Sequence, residues 1–198
     1  MSAPALWLIA GPNGVGKTTY ALGHIVAVSG SVQFVNLDTI ARGLSPLAPE
    51  TVRTQAARIA SDREKHLIAR DESFSLETTL AGRTHLRLIA FARARGFRIN
   101  LLYFAVPDVA ECLRRIRRRV AEGGHDVPEP DARRRFHRSA GNFPDYAAAS
   151  DLWRVFDNRA TPRVVAEGED GRVTFRDTAL DAATPPDLAA AVHAMPAA

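Results

Sequence analysis

The chain of 198 residues is 46% apolar and carries 26 basic against 22 acidic side chains, for a formal net charge of +4. That much apolar material fills a core for one domain of ordinary length, while no run is long and apolar enough to cross a bilayer. Cys112 is the only cysteine, which excludes an internal disulfide, and the start Met1-Ser-Ala-Pro4 lacks the basic segment and apolar stretch of a secretory leader, so a cytoplasmic location is expected.

Taken in chain order, Leu6–Ala10 reads as a buried strand that runs into Gly11-Pro12-Asn13-Gly14-Val15-Gly16-Lys17-Thr18-Thr19. Strand, glycine-rich turn and helix in this order make a phosphate-binding loop: backbone N–H groups curl around the anion, and the helix expected over Lys17–Val28 turns its positive end toward it. Lys17 is placed to reach the β and γ phosphates and the Thr18 hydroxyl to ligate Mg²⁺, so a nucleoside triphosphate with Mg²⁺ is the expected ligand pair. Val32–Leu37 is a short β-favouring run ending at Asp38. Asp38 has two readings, a base that accepts the proton of an attacking hydroxyl and an N-cap for a short helix over 39–42. Pro49 leads a polar helix over Glu50–Arg70, and Phe74–Leu76 is a strand that closes at Glu77-Thr78-Thr79.

Ligands of an open parallel sheet sit outside the carboxyl ends of its strands, which draws attention to Asp38, Glu77, Thr78, Asp108 and Asp157. Glu77 could hold substrate hydroxyls or, through water, Mg²⁺; Thr78 is a substrate-side candidate with Arg83 just beyond it, and Thr79 fits a turn cap better. No apolar strand ends in aspartate followed by a catalytic glutamate, which counts against a mechanical or transporter ATPase. Gly82–Arg95 reads as a helix stopped by Gly96, Ile99–Val106 as a central strand, and Pro107–Glu122 as a helix with a buried stripe of Val109, Leu113, Ile116 and Val120 and with Cys112 as packing.

Nine arginines fall between Arg114 and Arg138, flanking the turn Gly123-Gly-His125-Asp-Val-Pro128. Two basic helices about a flexible turn read either as a solvated basic face or as an anion-binding lid over about 114–138; the phosphate loop upstream favours the lid, with Arg119 its first phosphate contact. His125 either meets substrate or stands in solvent. Aromatic residues that could stack on bases are sparse here, which disfavours nucleic acid as a partner. Leu152–Phe156 reads as the last core strand, followed by a hairpin (Val164–Glu167 and Val173–Arg176) and a helix over Pro185–Met195. Strands alternating with helices predict an α/β fold of three layers, the P-loop NTPase architecture, with a mainly parallel sheet covered on both faces. The whole of 1–198 is expected to form one domain, with the hairpin and helix of 160–198 appended.

The motifs Gly11–Thr19, Asn36-Leu-Asp38, Phe74-Ser-Leu-Glu-Thr-Thr-Leu80 and Gly123–Pro128 followed by Arg133-Arg-Arg-Phe136 resemble, in that order, the zeta-toxin-like P-loop kinases, from about Leu6 to Asn158. The resemblance implies an ATP-dependent phosphotransferase acting on a small acceptor, which in characterised zeta toxins is the sugar of UDP-N-acetylglucosamine, and an antitoxin as protein partner. It also implies Asp38 as catalytic base, Glu77 as a substrate-side carboxylate, and Arg119 with Arg134 as lid arginines. Two other readings stand beside it: a nucleotide-binding regulatory module with slow ATP hydrolysis, and a nucleoside or polynucleotide kinase.

Overall fold

The computed structural model describes residues 3–124 and 126–198. Its sheet has the order β2-β3-β1-β4-β5-β6-β7. β1 (Ala5–Ala10) lies between β3 (Phe74–Thr78) and β4 (Arg98–Ala105), β2 (Phe34–Val35) adds beyond β3 and β5 (Leu152–Asp157) beyond β4, all parallel. β6 (Arg163–Glu169) and β7 (Arg172–Arg176) then run antiparallel, so the C-terminal hairpin continues the central sheet instead of standing apart from it. The expected three-layer α/β architecture with a mainly parallel sheet is therefore what the chain adopts.

Because both faces are covered, the central strands are apolar without alternation: Leu6, Leu8, Ile9 and Ala10 of β1, and β4 from Ile99 to Ala105, are buried. Successive side chains feed opposite faces. Leu6, Leu8, Phe74, Leu101 and Trp153 pack in one cluster; Ile9, Leu102 and Phe104 pack in the other, against Ala21 and Ile25 of α1 (Lys17–Ser29) and Phe136 of α6 (Glu129–Ala148). Each large side chain so buried stabilises the fold by about 1.5–3 kcal/mol.

Element boundaries depart from expectation where side chains compete for helix ends. The run 32–37 is strand only at Phe34–Val35, because Asn36 leaves it to cap α2 (Leu37–Leu44), its Oδ1 accepting the Thr39 N–H at 2.9 Å. Asp38 is therefore inside the helix and is not its cap. The expected helix over 50–70 divides into a 3-10 turn (Pro49–Val52) and α3 (Arg53–Ala69). α4 spans Thr84–Ala94, and α5 spans Val109–Ala121, capped by Asp108, which accepts the Glu111 N–H at 2.9 Å. The inward stripe of α5 is Cys112, Leu113 and Ile116; Val120, expected to be buried, is 39% exposed one residue from the helix end. α7 (Leu180–Ala183) and α8 (Pro186–Ala194) close the chain, α8 against α6.

Candidate active site at the phosphate loop

β1 lies between β3 and β4, where the strand order turns from one side of the sheet to the other, so a crevice opens above its carboxyl end, and residues 11–16 fill its floor. Gly14 has φ +80° and lies so close to α5 that a Cβ there would stand 2.5 Å from the Cys112 carbonyl oxygen, a position only glycine fits. The loop is pinned from both flanks: Asn158 Nδ2, past the end of β5, donates to the Val15 carbonyl at 2.5 Å, and Arg115 Nη1 of α5 donates to the same oxygen at 3.3 Å. Gly16 begins α1 with φ +100° and no side-chain cap, which leaves the first N–H groups of the helix facing the crevice for an anion.

Lys17, 5% exposed, donates from Nζ to the Pro12 carbonyl at 2.9 Å and lies 3.7 Å from Glu77 Oε1. Burial lowers its pKa, opposed by the Glu77 carboxylate, and the nearby Arg119 charge lowers it further. Parallel pairing of β1 with β3 sets Glu77 opposite Ile9, two residues from the loop. There Glu77 Oε2 accepts from the Thr18 hydroxyl and from Asn36 Nδ2, both at 2.7 Å. Glu77 thus meets the two residues expected to hold nucleotide phosphates and cation. Thr18 Oγ1 and Glu77 Oε2 together form an oxygen pair suited to a hard cation that takes its remaining ligands from phosphate and water.

Beside this cluster opens a cavity of about 990 Å³, whose wall includes Asn13, Asp38, Glu77, Thr78, Thr79 and Arg135. Asp38 Oδ1 accepts at 3.2 Å from Nη1 of Arg53, the first residue of α3, itself in the wall. The turn after β3 is held in a left-handed kink at Leu80 (φ +52°): the Leu80 N–H donates to Thr78 Oγ1 at 3.2 Å, and Asn142 Nδ2 and Tyr146 O–H, both of α6, donate to the Leu80 and Gly82 carbonyls at 2.7 and 2.8 Å. Thr79 Oγ1 likewise accepts from Ala81 N, so both threonines serve the turn and both still face the cavity. His85 hydrogen-bonds Thr78 at 3.2 Å through Nδ1, and its burial lowers its pKa.

The lid arginines divide. Arg135 Nη1 donates to Asn13 Oδ1 of the loop at 3.2 Å, whereas Arg134 is 57% exposed and paired with Asp131 at 2.9 Å. Ala132, Arg135, Phe136 and Ser139 follow helical spacing, and Ala132, Phe136 and Ser139 are buried, so that rule picks out Arg135. Arg119 lies near Lys17, as its effect on that amine requires. Arg83 turns away to pair with Asp145 on α6 and takes no part in the cavity wall. Val127 of the lid turn walls the cavity; His125 lies outside the described residues. Asp157 is held by Arg159, whose hydrogen bonds lower its carboxyl pKa. Sequence reasoning missed Asn36, Arg53, Arg115, Arg135 and Asn158.

A family model described as an AAA domain matches residues 6–140. An uncharacterised protein of Haemophilus influenzae is 30% identical over 126 residues, 64% of this chain and 88% of that protein. Among solved structures, the AvrRxo1-ORF1:AvrRxo1-ORF2 complex with ATP superposes with a TM-score of 0.72 at 19% identity, covering 92% of this chain and 64% of the other, so the chain spans just under two thirds of that relative. The PezAT toxin–antitoxin system of Streptococcus pneumoniae gives 0.63 at 14% identity (84% and 72% covered), and shikimate kinase of Acinetobacter baumannii with shikimate gives 0.50 at 21% (80% and 86%). At these identities the structures share the fold, a P-loop kinase-like one.

Proposed function

The chain belongs to the AAA domain family, and from that premise we propose that it is an ATP-dependent phosphotransferase that moves the γ-phosphate of ATP to a hydroxyl of an acceptor bound in the cavity beside Asp38. The observation that carries this reading is the junction of two half-sites: Lys17, Thr18 and Glu77 hydrogen-bond or ion-pair at the loop, and Glu77 also walls the cavity that Asp38 lines. Lys17 and the N–H groups of the α1 terminus hold the phosphates. Thr18 and Glu77 would hold Mg²⁺, which would neutralise charge on the phosphoryl oxygens. Asp38, oriented by Arg53, accepts the hydroxyl proton as the acceptor oxygen bonds to the γ phosphorus and the bond to the ADP oxygen breaks, giving ADP and a phosphate monoester. Arg119 and Arg135 close on the transferred group from the lid, where guanidinium suits planar phosphoryl oxygens. Residues 1–198 act in this reading as one kinase domain.

The finer reading, a zeta-toxin-like kinase with a UDP-N-acetyl sugar as acceptor and an antitoxin as partner, draws support from the motif order and from the PezAT and AvrRxo1 neighbours. Its test is ADP release by the purified protein with ATP and Mg²⁺, across a panel of UDP-sugars, nucleosides and short oligonucleotides, with Lys17→Ala as blank. Stimulation by UDP-N-acetylglucosamine is the expected result. ATP binding with no acceptor-dependent release of ADP contradicts the transferase.

A further inference from the structure

The cavity reaches well beyond the groups that phosphate transfer needs. One face of α3 lines it from Arg53, beside Asp38, through Ala57 and Ala60 to Glu64. From Arg53 to Glu64 is eleven residues of helix, about 16 Å at 1.5 Å per residue. Leu88 and Phe91 of α4 form part of the wall, the ring of Phe91 half exposed. Along this mostly apolar passage Glu64 is anomalous. It is only 8% exposed, it lines the cavity, and among the described residues it makes no hydrogen bond or ion pair. Its oxygens still reach the solvent of the cavity, so a ligand donor entering there takes the place of water. Burial pushes its pKa up to about 7, with the neighbouring Lys65 charge pulling the other way.

We infer that the cavity is a two-station acceptor site, in which Glu64 accepts a hydrogen bond from a neutral N–H group at the far end of an elongated molecule whose hydroxyl lies at Asp38. The Asp38 end rests on the phosphotransferase reading; the Glu64 station does not. Charge selects a neutral donor over an ammonium. The wall carries Arg53, Lys65, Arg87 and Arg135 against Asp38, Glu64 and Glu77, with His85 held neutral by burial, so a ligand cation meets net positive charge. Both forms of Glu64 accept from N–H, the acid through its carbonyl oxygen and the carboxylate through either oxygen. The ligand class is an elongated hydroxy-amide with a predominantly apolar spine against Ala57, Ala60, Leu88 and Phe91, an acceptor that competes with the polar UDP-N-acetyl sugar of the finer reading above.

The matched probes are 11-hydroxyundecanamide and methyl 11-hydroxyundecanoate, which share hydroxyl, spine and carbonyl and differ in the N–H. Calorimetric titration of the full chain should show the amide bound about tenfold more tightly than the ester, the range of one buried hydrogen bond to a polar partner. Glu64→Met should bring the two within twofold, and Glu64→Gln, which keeps an acceptor oxygen, should restore the preference. Wild-type protein labelled with ¹³C at the glutamate carboxyls gives a readout independent of whether variants fold: the Glu64 resonance should shift with the amide and stay with the ester. Equal binding of the two probes, binding of neither, a preference that survives Glu64→Met, or an unmoved Glu64 resonance overturns the station. Because binding is read without turnover, failure of the phosphotransferase reading in the acceptor panel leaves the station standing, and loss of the station leaves that reading untouched.

Discussion

Glu64→Gln isolates the cost of keeping a carboxyl in the cavity wall. In the folded chain the group titrates at about 7, against 4.5 when solvated, and desolvation is the leading cause. A gap of roughly two and a half pH units corresponds to about 3 kcal/mol at 1.36 kcal/mol per unit. The carboxyl keeps its proton in both states below pH 4.5, so its full contribution to stability is present there. As pH rises, the unfolded chain releases the proton first, and the contribution fades until the folded group has also ionised, above about pH 7. The amide that replaces the carboxyl in the variant does not titrate. Urea unfolding of both proteins at pH 4, 5.5, 7 and 8.5 should therefore show a difference in unfolding free energy that grows toward the variant by about 3 kcal/mol between the first and last pH. A difference constant across that range refutes the burial argument, whatever its sign.

Gly14→Ala places a methyl group 2.5 Å from the Cys112 carbonyl in a left-handed backbone, so ATP binding by fluorescence titration should be lost and the thermal midpoint lowered. Arg135→Ala removes the lid's bond to Asn13 and should lower acceptor-dependent ADP release at least tenfold, while Arg134→Ala, whose side chain faces solvent, should leave it within twofold. Arg53→Met strips Asp38 of its ion-pair partner and should lower kcat in the same assay; Arg83→Ala, outside the cavity wall, should not.

Local pattern revealed the elements and the loop, because the phosphate-loop residues are contiguous and the central strands are apolar throughout. What pattern could not supply is pairing at long range. Glu77 meets Thr18 across 59 positions, and only the parallel register of β1 and β3 brings them together. Asn36 and Asp38 are both good caps two residues apart, and the choice fell to the one whose oxygen reached Thr39 when the helix began earlier than expected. Among adjacent arginines the spacing of buried neighbours on α6 identifies Arg135, a rule open to the sequence once the helix bounds are known. Glu64 sits in a helix of polar composition, and its place in a cavity wall shared with Leu88 and Phe91 of α4 is set by tertiary arrangement that local pattern does not carry.

The account stands most directly on Asp38. With the best acceptor from the panel, ATP and Mg²⁺, ADP release and formation of the phosphate monoester should fall by about 10²–10⁴ in Asp38→Asn, the range of a general base, while ATP affinity stays within a few-fold. Turnover that survives the substitution contradicts the assignment of Asp38 as base and, with it, the mechanism proposed for this cavity.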